Sequence, residues 1–89
     1  MAVLDVQVVA SDHAVWSGEA KSIRGRTTEG DLGILPGHTP VLAFLAEGEV
    51  AIEPVEGPTL TAKVSGGFFS VDADRVTVIA DEADMTATE

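Results

Sequence analysis

The sequence predicts an all-β domain, and three observations support this prediction. Apolar and polar residues alternate with a period of two along most of the 89 residues, as they do in strands that bury one face. Val, Ile and Thr, which suit a pleated surface, fill 24 positions. Turn signals separate the alternating segments at short, regular intervals, which is typical of a β-sandwich or a barrel.

Four segments carry the alternation most clearly: Val3–Val9, Gly48–Pro54, Leu60–Val64 and Arg75–Ala80. In the first segment, apolar residues share one face while Asp5 and Gln7 share the other. In the last segment, Ile79 lies on the face opposite Val76 and Val78. We therefore expect both faces of that strand to be covered.

Turn signals fall between these segments at Ser17-Gly18, Glu29-Gly30, Pro36-Gly37, Glu47-Gly48, Glu56-Gly57-Pro58, Gly66-Gly67 and Asp72-Ala73-Asp74. Only Val41–Glu47 and Ala80–Ala87 are compatible with a helix. Both are short and neither has a sustained helical stripe, so a helix-rich fold is disfavoured. Residues 1–84 are predicted to form the domain, and Met85–Glu89 to be a frayed C-terminal tail.

The composition limits the partners. Fifteen acidic and five basic residues give a formal charge of −10, so the chain is a poor candidate for binding nucleic acid or a bare anionic lipid surface. The charge either attracts a locally basic partner or simply keeps the protein soluble. No apolar run approaches the roughly 20 residues of a spanning helix, and Met1–Val9 does not read as a secretory signal.

The sequence contains no recognisable catalytic, metal or cofactor site. Two histidines without cysteine fall short of the about three ligands that a zinc or iron site needs. The carboxylate pairs, such as Asp72 and Asp74, sit mostly at turns, where Asp bonds its own backbone. Gly30, Gly33 and Gly37 are not followed by the Gly-Lys-Ser/Thr of a phosphate loop. We therefore expect a non-catalytic protein with no cofactor and no small-molecule substrate.

Residues 29–40 form the least generic segment. Pro36-Gly37 suits the central positions of a type II turn, and two further glycines provide sharp bends. Three glycines and two prolines in twelve residues predict a specified shape. The apolar residues between the bends must either fold back onto the core or meet a partner, and residue physics leaves both open: Leu32, Ile34 and Leu35.

The stretch Gly30-Asp31-Leu32-Gly33-Ile34-Leu35-Pro36-Gly37-His38-Thr39-Pro40-Val41-Leu42 resembles the signature of the epsilon subunits of F-type ATP synthases. Four further motifs fall in that family's order and spacing, so that the resemblance covers about residues 3–84: Leu4-Asp5-Val6, Trp16-Ser17-Gly18, Ser65-Gly66-Gly67-Phe68 and Val76-Thr77-Val78-Ile79-Ala80. The resemblance implies a flattened β-sandwich of about ten strands in two sheets.

The function implied by this resemblance is that of a non-catalytic central-stalk, or rotor, subunit. It would bind the gamma subunit and touch the c-ring, and so couple proton-driven ring rotation to ATP synthesis. It would lie at the cytoplasmic face of the plasma membrane as a peripheral subunit of a bacterial synthase, rather than at an organellar inner membrane or thylakoid. The membrane would be reached only through the complex.

The resemblance also implies two sets of site residues. The set facing the c-ring combines two carboxylates, expected to meet basic side chains, with three apolar residues: Glu29, Asp31, Ile34, Leu35 and Pro36. The set near gamma comprises His38, Val41, Leu42, Ser65, Gly66 and Gly67. Glycine permits close backbone approach at an interface, although an ordinary bulge or corner explains Gly66-Gly67 equally well.

The family usually continues into a C-terminal pair of helices, which can inhibit ATP hydrolysis and in some members bind ATP. This sequence stops at Glu89, so we assign neither regulation nor nucleotide binding to it. Two alternatives come from other classes. A free-standing β-sandwich module that binds a ligand or protein would have a concave polar pocket, and a small β-barrel enzyme would need a metal or clustered acid–base groups.

Overall fold

The computed structural model describes residues 2–11 and 13–88, which form eight β-strands. The strands are β1 (Leu4–Ala10), β2 (His13–Thr27), β3 (Gly30–Ile34), β4 (Val41–Pro54), β5 (Thr59–Val64), β6 (Gly67–Asp72), β7 (Arg75–Ala80) and β8 (Ala83–Thr88). The predicted all-β class is therefore confirmed. Within the described residues there is no helix that could cross a membrane.

Two long strands, β2 and β4, bend and take part in both layers of the fold. The first layer runs in the order β2 (first half), β1, β7, β6 and β4 (first half). The second runs in the order β3, β2 (second half), β4 (second half), β5 and β8. All of these neighbours are antiparallel except β1 and β7, which are parallel.

The described strands form one continuous eight-stranded sheet rather than the two separate sheets of about ten strands that were predicted. The reason is that β2 and β4 each contribute one half to each layer. Each layer therefore contains five strand segments, and the two layers together contain ten. The predicted turn at Glu47-Gly48 is a corner inside β4: Leu45 pairs with β6, whereas Gly48 pairs with β5. A glycine within a strand commonly marks such a bend.

Both segments that were compatible with a helix lie mainly in strands. Val41–Glu47 lies in β4, and residues 83–88 form β8. The predicted frayed tail is therefore wrong for residues 85–88, which pair with β5 from Met85–Ala62 to Thr88–Thr59. Met85 also packs against the core, so this end is held by both hydrogen bonds and burial. Glu89, like Met1 and Asp12, lies outside the described residues.

The hydrophobic core fills the space between the layers. Its largest fully buried side chains include Phe69, Leu4, Ile23, Ile34 and Ile52. The alternation along β1 is as predicted, with apolar residues buried and Asp5 and Gln7 exposed. Trp16 is half-buried and packs against the core, as a structural aromatic does.

Candidate docking surfaces

The turn between β2 and β3, which carries Glu29, is fixed by the side chain of Thr27. The Thr27 hydroxyl donates to the Gly30 carbonyl at 2.7 Å and accepts from the Glu29 N–H at 3.1 Å. Thr27 is the only buried polar residue among those described. The Thr28 N–H donates to the Phe44 carbonyl at 3.0 Å, so the turn is also attached to β4.

Asp31 follows on β3, opposite Arg26 of β2. The Arg26 Nε lies 3.3 Å from the Asp31 Oδ1, but both side chains are largely exposed, so this ion pair contributes little to stability. Asp31, Glu29 and Leu42 line one shallow groove between the β2–β3 turn and β4. The fold therefore brings the two predicted carboxylates close to a residue of the predicted gamma-facing set.

A second turn lies at the other end of β3. The His38 N–H donates to the Leu35 carbonyl at 3.2 Å, and Gly37 has a φ of 88°, which confirms the predicted turn centred on Pro36-Gly37. At about 3.3 Å per residue, the five residues of β3 separate this turn from Glu29 by roughly 17 Å. The predicted c-ring-facing residues are thus divided between two places.

Ile34 cannot supply the apolar contact that was predicted for it. Its side chain is 1% exposed, belongs to the core and faces inward at the end of β3. Leu35 is the next residue, lies beyond the strand and is 63% exposed. Of the two, only Leu35 is therefore available to a partner, together with the half-buried Pro36.

The predicted gamma-facing residues lie at the start of β4, in the segment just before it, and at the corner between β5 and β6. Leu42 is exposed on β4, Val41 packs partly against the core, and His38 donates from Nδ1 to the Thr39 carbonyl at 2.7 Å. Ser65, Gly66 and Gly67 form the corner between β5 and β6. There the Glu82 N–H donates to the Ser65 hydroxyl at 3.1 Å, and the Asp81 N–H donates to the Gly66 carbonyl at 3.3 Å.

Gly67 is required by a close backbone approach. It pairs with Leu45 on one side and with Ala80 on the other, and a Cβ added to it would overlap the Ile79 carbonyl oxygen. Its φ of 145° is also one that other residues rarely adopt. The corner explanation of the glycine pair therefore accounts for Gly67 within the chain itself.

Beside Leu42, which belongs to the predicted gamma-facing set, the structure exposes large apolar side chains that were not among the predicted site residues. Phe44, Phe68 and Ile79 occupy facing positions on β4, β6 and β7, and Leu42 lies two residues before Phe44 on the same face. Their side chains are between 43% and 71% exposed. We call Leu42, Phe44, Phe68 and Ile79 the apolar row.

One sequence signal could have identified the apolar row. In Phe68-Phe69 and Val78-Ile79, two adjacent large apolar residues lie in a strand, so one faces the core and the other faces outward. This pattern is the basis for expecting both faces of Arg75–Ala80 to be covered, but Ile79 is 44% exposed, so the outer face of β7 is open in the described structure. Phe68 of β6 and Phe44 of β4 lie on the same outer side, outside that expectation.

The described surface offers contacts rather than a reaction centre. No group of three His, Asp or Glu side chains that could hold a metal ion occurs in residues 2–11 and 13–88. Every buried side-chain nitrogen or oxygen in this part of the chain has a hydrogen-bond partner. What remains is an exposed apolar row, bordered at the β2–β3 turn by a groove with two carboxylates.

Comparison with known proteins agrees with the resemblance found in the sequence. Residues 3–86 match the family described as ATP synthase, Delta/Epsilon chain, beta-sandwich domain. The ATP synthase epsilon chain of Micrococcus luteus is 51% identical over 93% of this chain and 91% of its own length. That of Rhodococcus erythropolis is 50% identical over 96% of this chain and 70% of its own.

Two solved structures share the fold. A chain of the Euglena gracilis mitochondrial ATP synthase OSCP/F1/c-ring structure has a TM-score of 0.89 and 28% identity, and the match covers 96% of this chain and 54% of that one. A chain of the Tetrahymena thermophila mitochondrial ATP synthase central stalk/c-ring structure has a TM-score of 0.75 and 16% identity, with 91% and 65% covered. This chain thus spans between about half and two thirds of these two structural neighbours.

Proposed function

Since this chain belongs to the family of ATP synthase delta/epsilon chain β-sandwich domains, we propose that it is a rotor subunit that binds gamma and the c-ring and couples ring rotation to ATP synthesis. The family membership confirms the resemblance to epsilon subunits found in the sequence. It also assigns the chain to a non-catalytic subunit of the synthase, in agreement with the prediction that it is not itself an enzyme.

The apolar row is the observation that carries the gamma contact. Soluble domains rarely expose several large apolar side chains side by side unless they bind something. Phe44 and Phe68 each present a large aromatic surface, and burying such surface is the main source of binding free energy at interface centres. We therefore assign the apolar row to gamma. Ser65–Gly67 borders this contact because Phe68 directly follows Gly67, and His38 and Val41 precede Leu42 along the chain.

The c-ring contact follows the free edge of β3. Because β3 is the first strand of the sheet, the carboxylates of Glu29 and Asp31 at one end and the exposed Leu35 and Pro36 at the other lie along one edge. A broad, flat partner such as the rim of a ring can touch both ends at once. The carboxylates would meet basic side chains, while Leu35 and Pro36 would make the apolar contact.

The location follows from the partners. Relatives from Micrococcus luteus and Rhodococcus erythropolis are epsilon chains of bacterial ATP synthases, which are membrane-associated complexes. We assign this chain to the cytoplasmic face of the plasma membrane, where it would be held as a peripheral subunit through gamma and the c-ring. No direct lipid contact is needed for this arrangement.

Co-purification tests the proposal. Tagged chain should retain gamma, and the gamma complex should bind c-ring reconstituted in nanodiscs. Circular dichroism of the bait confirms that the β-fold is intact. A folded chain that retains neither partner would contradict the assignment. A chain that binds gamma but not the c-ring would support the gamma contact and contradict the c-ring contact.

A further inference from the structure

The hairpin between β6 and β7 holds the Leu35–His38 turn through one side chain. The Asp74 carboxylate accepts a hydrogen bond from the Gly37 N–H at 2.7 Å. The Asp74 carbonyl also accepts from the Asp5 N–H at 2.8 Å. Asp74 thus connects the segment that leaves β3 of the second layer with β7 and β1 of the first layer.

The backbone of this hairpin is unusual for its sequence. Ala73 and Asp74 have φ values of 50° and 62°, and they are the only described non-glycine residues with positive φ. Two-residue hairpins of this kind favour Asn-Gly or Asp-Gly, because both central residues need positive φ. Strained backbone that persists in a fold often serves a function. Here it places the Asp74 carboxylate against the Gly37 amide.

We propose that Asp74 is a positioning residue: its carboxylate clamps the Leu35–His38 turn and so presents Leu35 and Pro36 as a preformed apolar contact. The inference rests on the proposed c-ring contact along β3. A turn held before docking loses less conformational freedom when it binds. A hydrogen bond that a backbone N–H donates to a carboxylate is also stronger than one between neutral groups. Leu35, which is exposed but attached to a fixed turn, therefore suits an anchor.

Amide hydrogen exchange measured by NMR tests the clamp in the free chain. Asp74→Ala and Asp74→Gly both remove the acceptor, and Asp74→Gly also relieves the positive φ, so it carries the test if Asp74→Ala fails to fold. The Gly37 amide should exchange roughly tenfold faster or more in both. Asp74→Asn keeps an oxygen acceptor and tolerates the backbone, so it should restore most of the protection. Asp72→Asn, which removes the exposed carboxylate two residues away, should have no effect.

Unchanged Gly37 exchange in both folded Asp74→Ala and Asp74→Gly would overturn the clamp, whatever the function of the chain. Binding of the gamma complex to c-ring nanodiscs then tests its role. Asp74→Gly and Leu35→Ser should each weaken this binding several-fold, and the double variant should be no weaker than Leu35→Ser, because both act through one contact. Additive losses would overturn the positioning role. If Leu35→Ser binds the ring normally, the docking role of this turn is overturned while the gamma contact is unaffected.

Discussion

Phe44 and Phe68 face each other across β4 and β6, with ring centroids 5.3 Å apart and ring planes tilted by 48°. The Phe44 and Phe68 side chains are 60% and 43% exposed. Tilted aromatic pairs at this distance attract each other, so each ring restricts the other's rotamers before any partner arrives. A restricted pair loses less side-chain freedom on binding, which makes it a suitable centre for an interface.

We predict that Phe44→Ser and Phe68→Ser each lower the affinity for gamma by at least about tenfold, since truncation of a central aromatic typically costs about 2 kcal/mol or more. Each substitution should destabilise the fold by no more than about 2 kcal/mol, because both side chains are partly exposed and an aromatic pair contributes about 0.5–1.5 kcal/mol beyond the area it buries. Calorimetric titration with gamma measures the first effect, and thermal unfolding measures the second.

Phe69 is the matched control, since it is adjacent to Phe68 but fully buried. Phe69→Ala should destabilise the fold by about 3–5 kcal/mol. Normal gamma affinity in both folded serine variants would show that the apolar row does not bind gamma.

The contrast between Phe68 and Phe69 shows what the sequence could predict. The period of two predicts that these two residues face opposite ways. It does not show which of them faces the core. The side that faces the core depends on the two strands that neighbour β6. These are β4, more than twenty residues earlier in the chain, and β7, across a hairpin. Where polar residues occupy one face of a strand, the buried face was predicted correctly. In β1, Asp5 and Gln7 mark the exposed face.

For a related reason, the sequence could not predict that β4 is one continuous strand. Its first half resembles a short helix and is followed by the turn signal Glu47-Gly48. Tertiary pairing with β6 and then β5 overrides both signals. The same applies to Ile34 and Leu35, which sequence physics could not assign to core or surface until β3 was paired with β2.

Gly67 should tolerate no side chain. Gly67→Ala would place a Cβ on the Ile79 carbonyl oxygen, so the strand pair must separate or the corner must rearrange. We expect a loss of about 3 kcal/mol or more in the free energy of unfolding, as for other strained or overpacked sites. Urea denaturation of the purified chain measures it.

Gly33→Ala is the matched control, because its added Cβ would meet only the Arg24 side chain at an ordinary 3.6 Å. It should change the free energy of unfolding by no more than about 0.5 kcal/mol. Equal effects of the two alanine substitutions would contradict the close-approach explanation for Gly67.

Ile34 and Leu35 should separate stability from binding. Ile34→Ala removes buried methylene and methyl groups from the core, so we expect a loss of about 2–5 kcal/mol. Leu35→Ala removes an exposed side chain and should cost no more than about 0.5 kcal/mol. Thermal or urea unfolding of both variants compares them. A larger loss for Leu35→Ala than for Ile34→Ala would show that Leu35, and not Ile34, is the buried residue at the end of β3.

The carboxylates of Glu29 and Asp31 should act on ring binding through long-range attraction. The double variant Glu29→Gln/Asp31→Asn should bind c-ring nanodiscs more weakly at low salt. The difference should shrink towards 1 M salt, because the Debye length falls from about 10 Å at 0.1 M to about 3 Å at 1 M. The fold should be unaffected, since the ion pair between Asp31 and Arg26 is exposed.

Two control variants make this prediction specific to the β3 edge. Asp84→Asn removes an exposed carboxylate from β8, the strand at the opposite end of the sheet order, and should change ring binding less than the Glu29/Asp31 variant. Arg26→Gln releases Asp31 from its ion pair and should leave ring binding equal or stronger at low salt, because a positive charge beside the carboxylate is removed. A loss of binding in Arg26→Gln as large as that in the double variant would indicate that the ring recognises the arginine, and would overturn the assignment of the carboxylates as its contact.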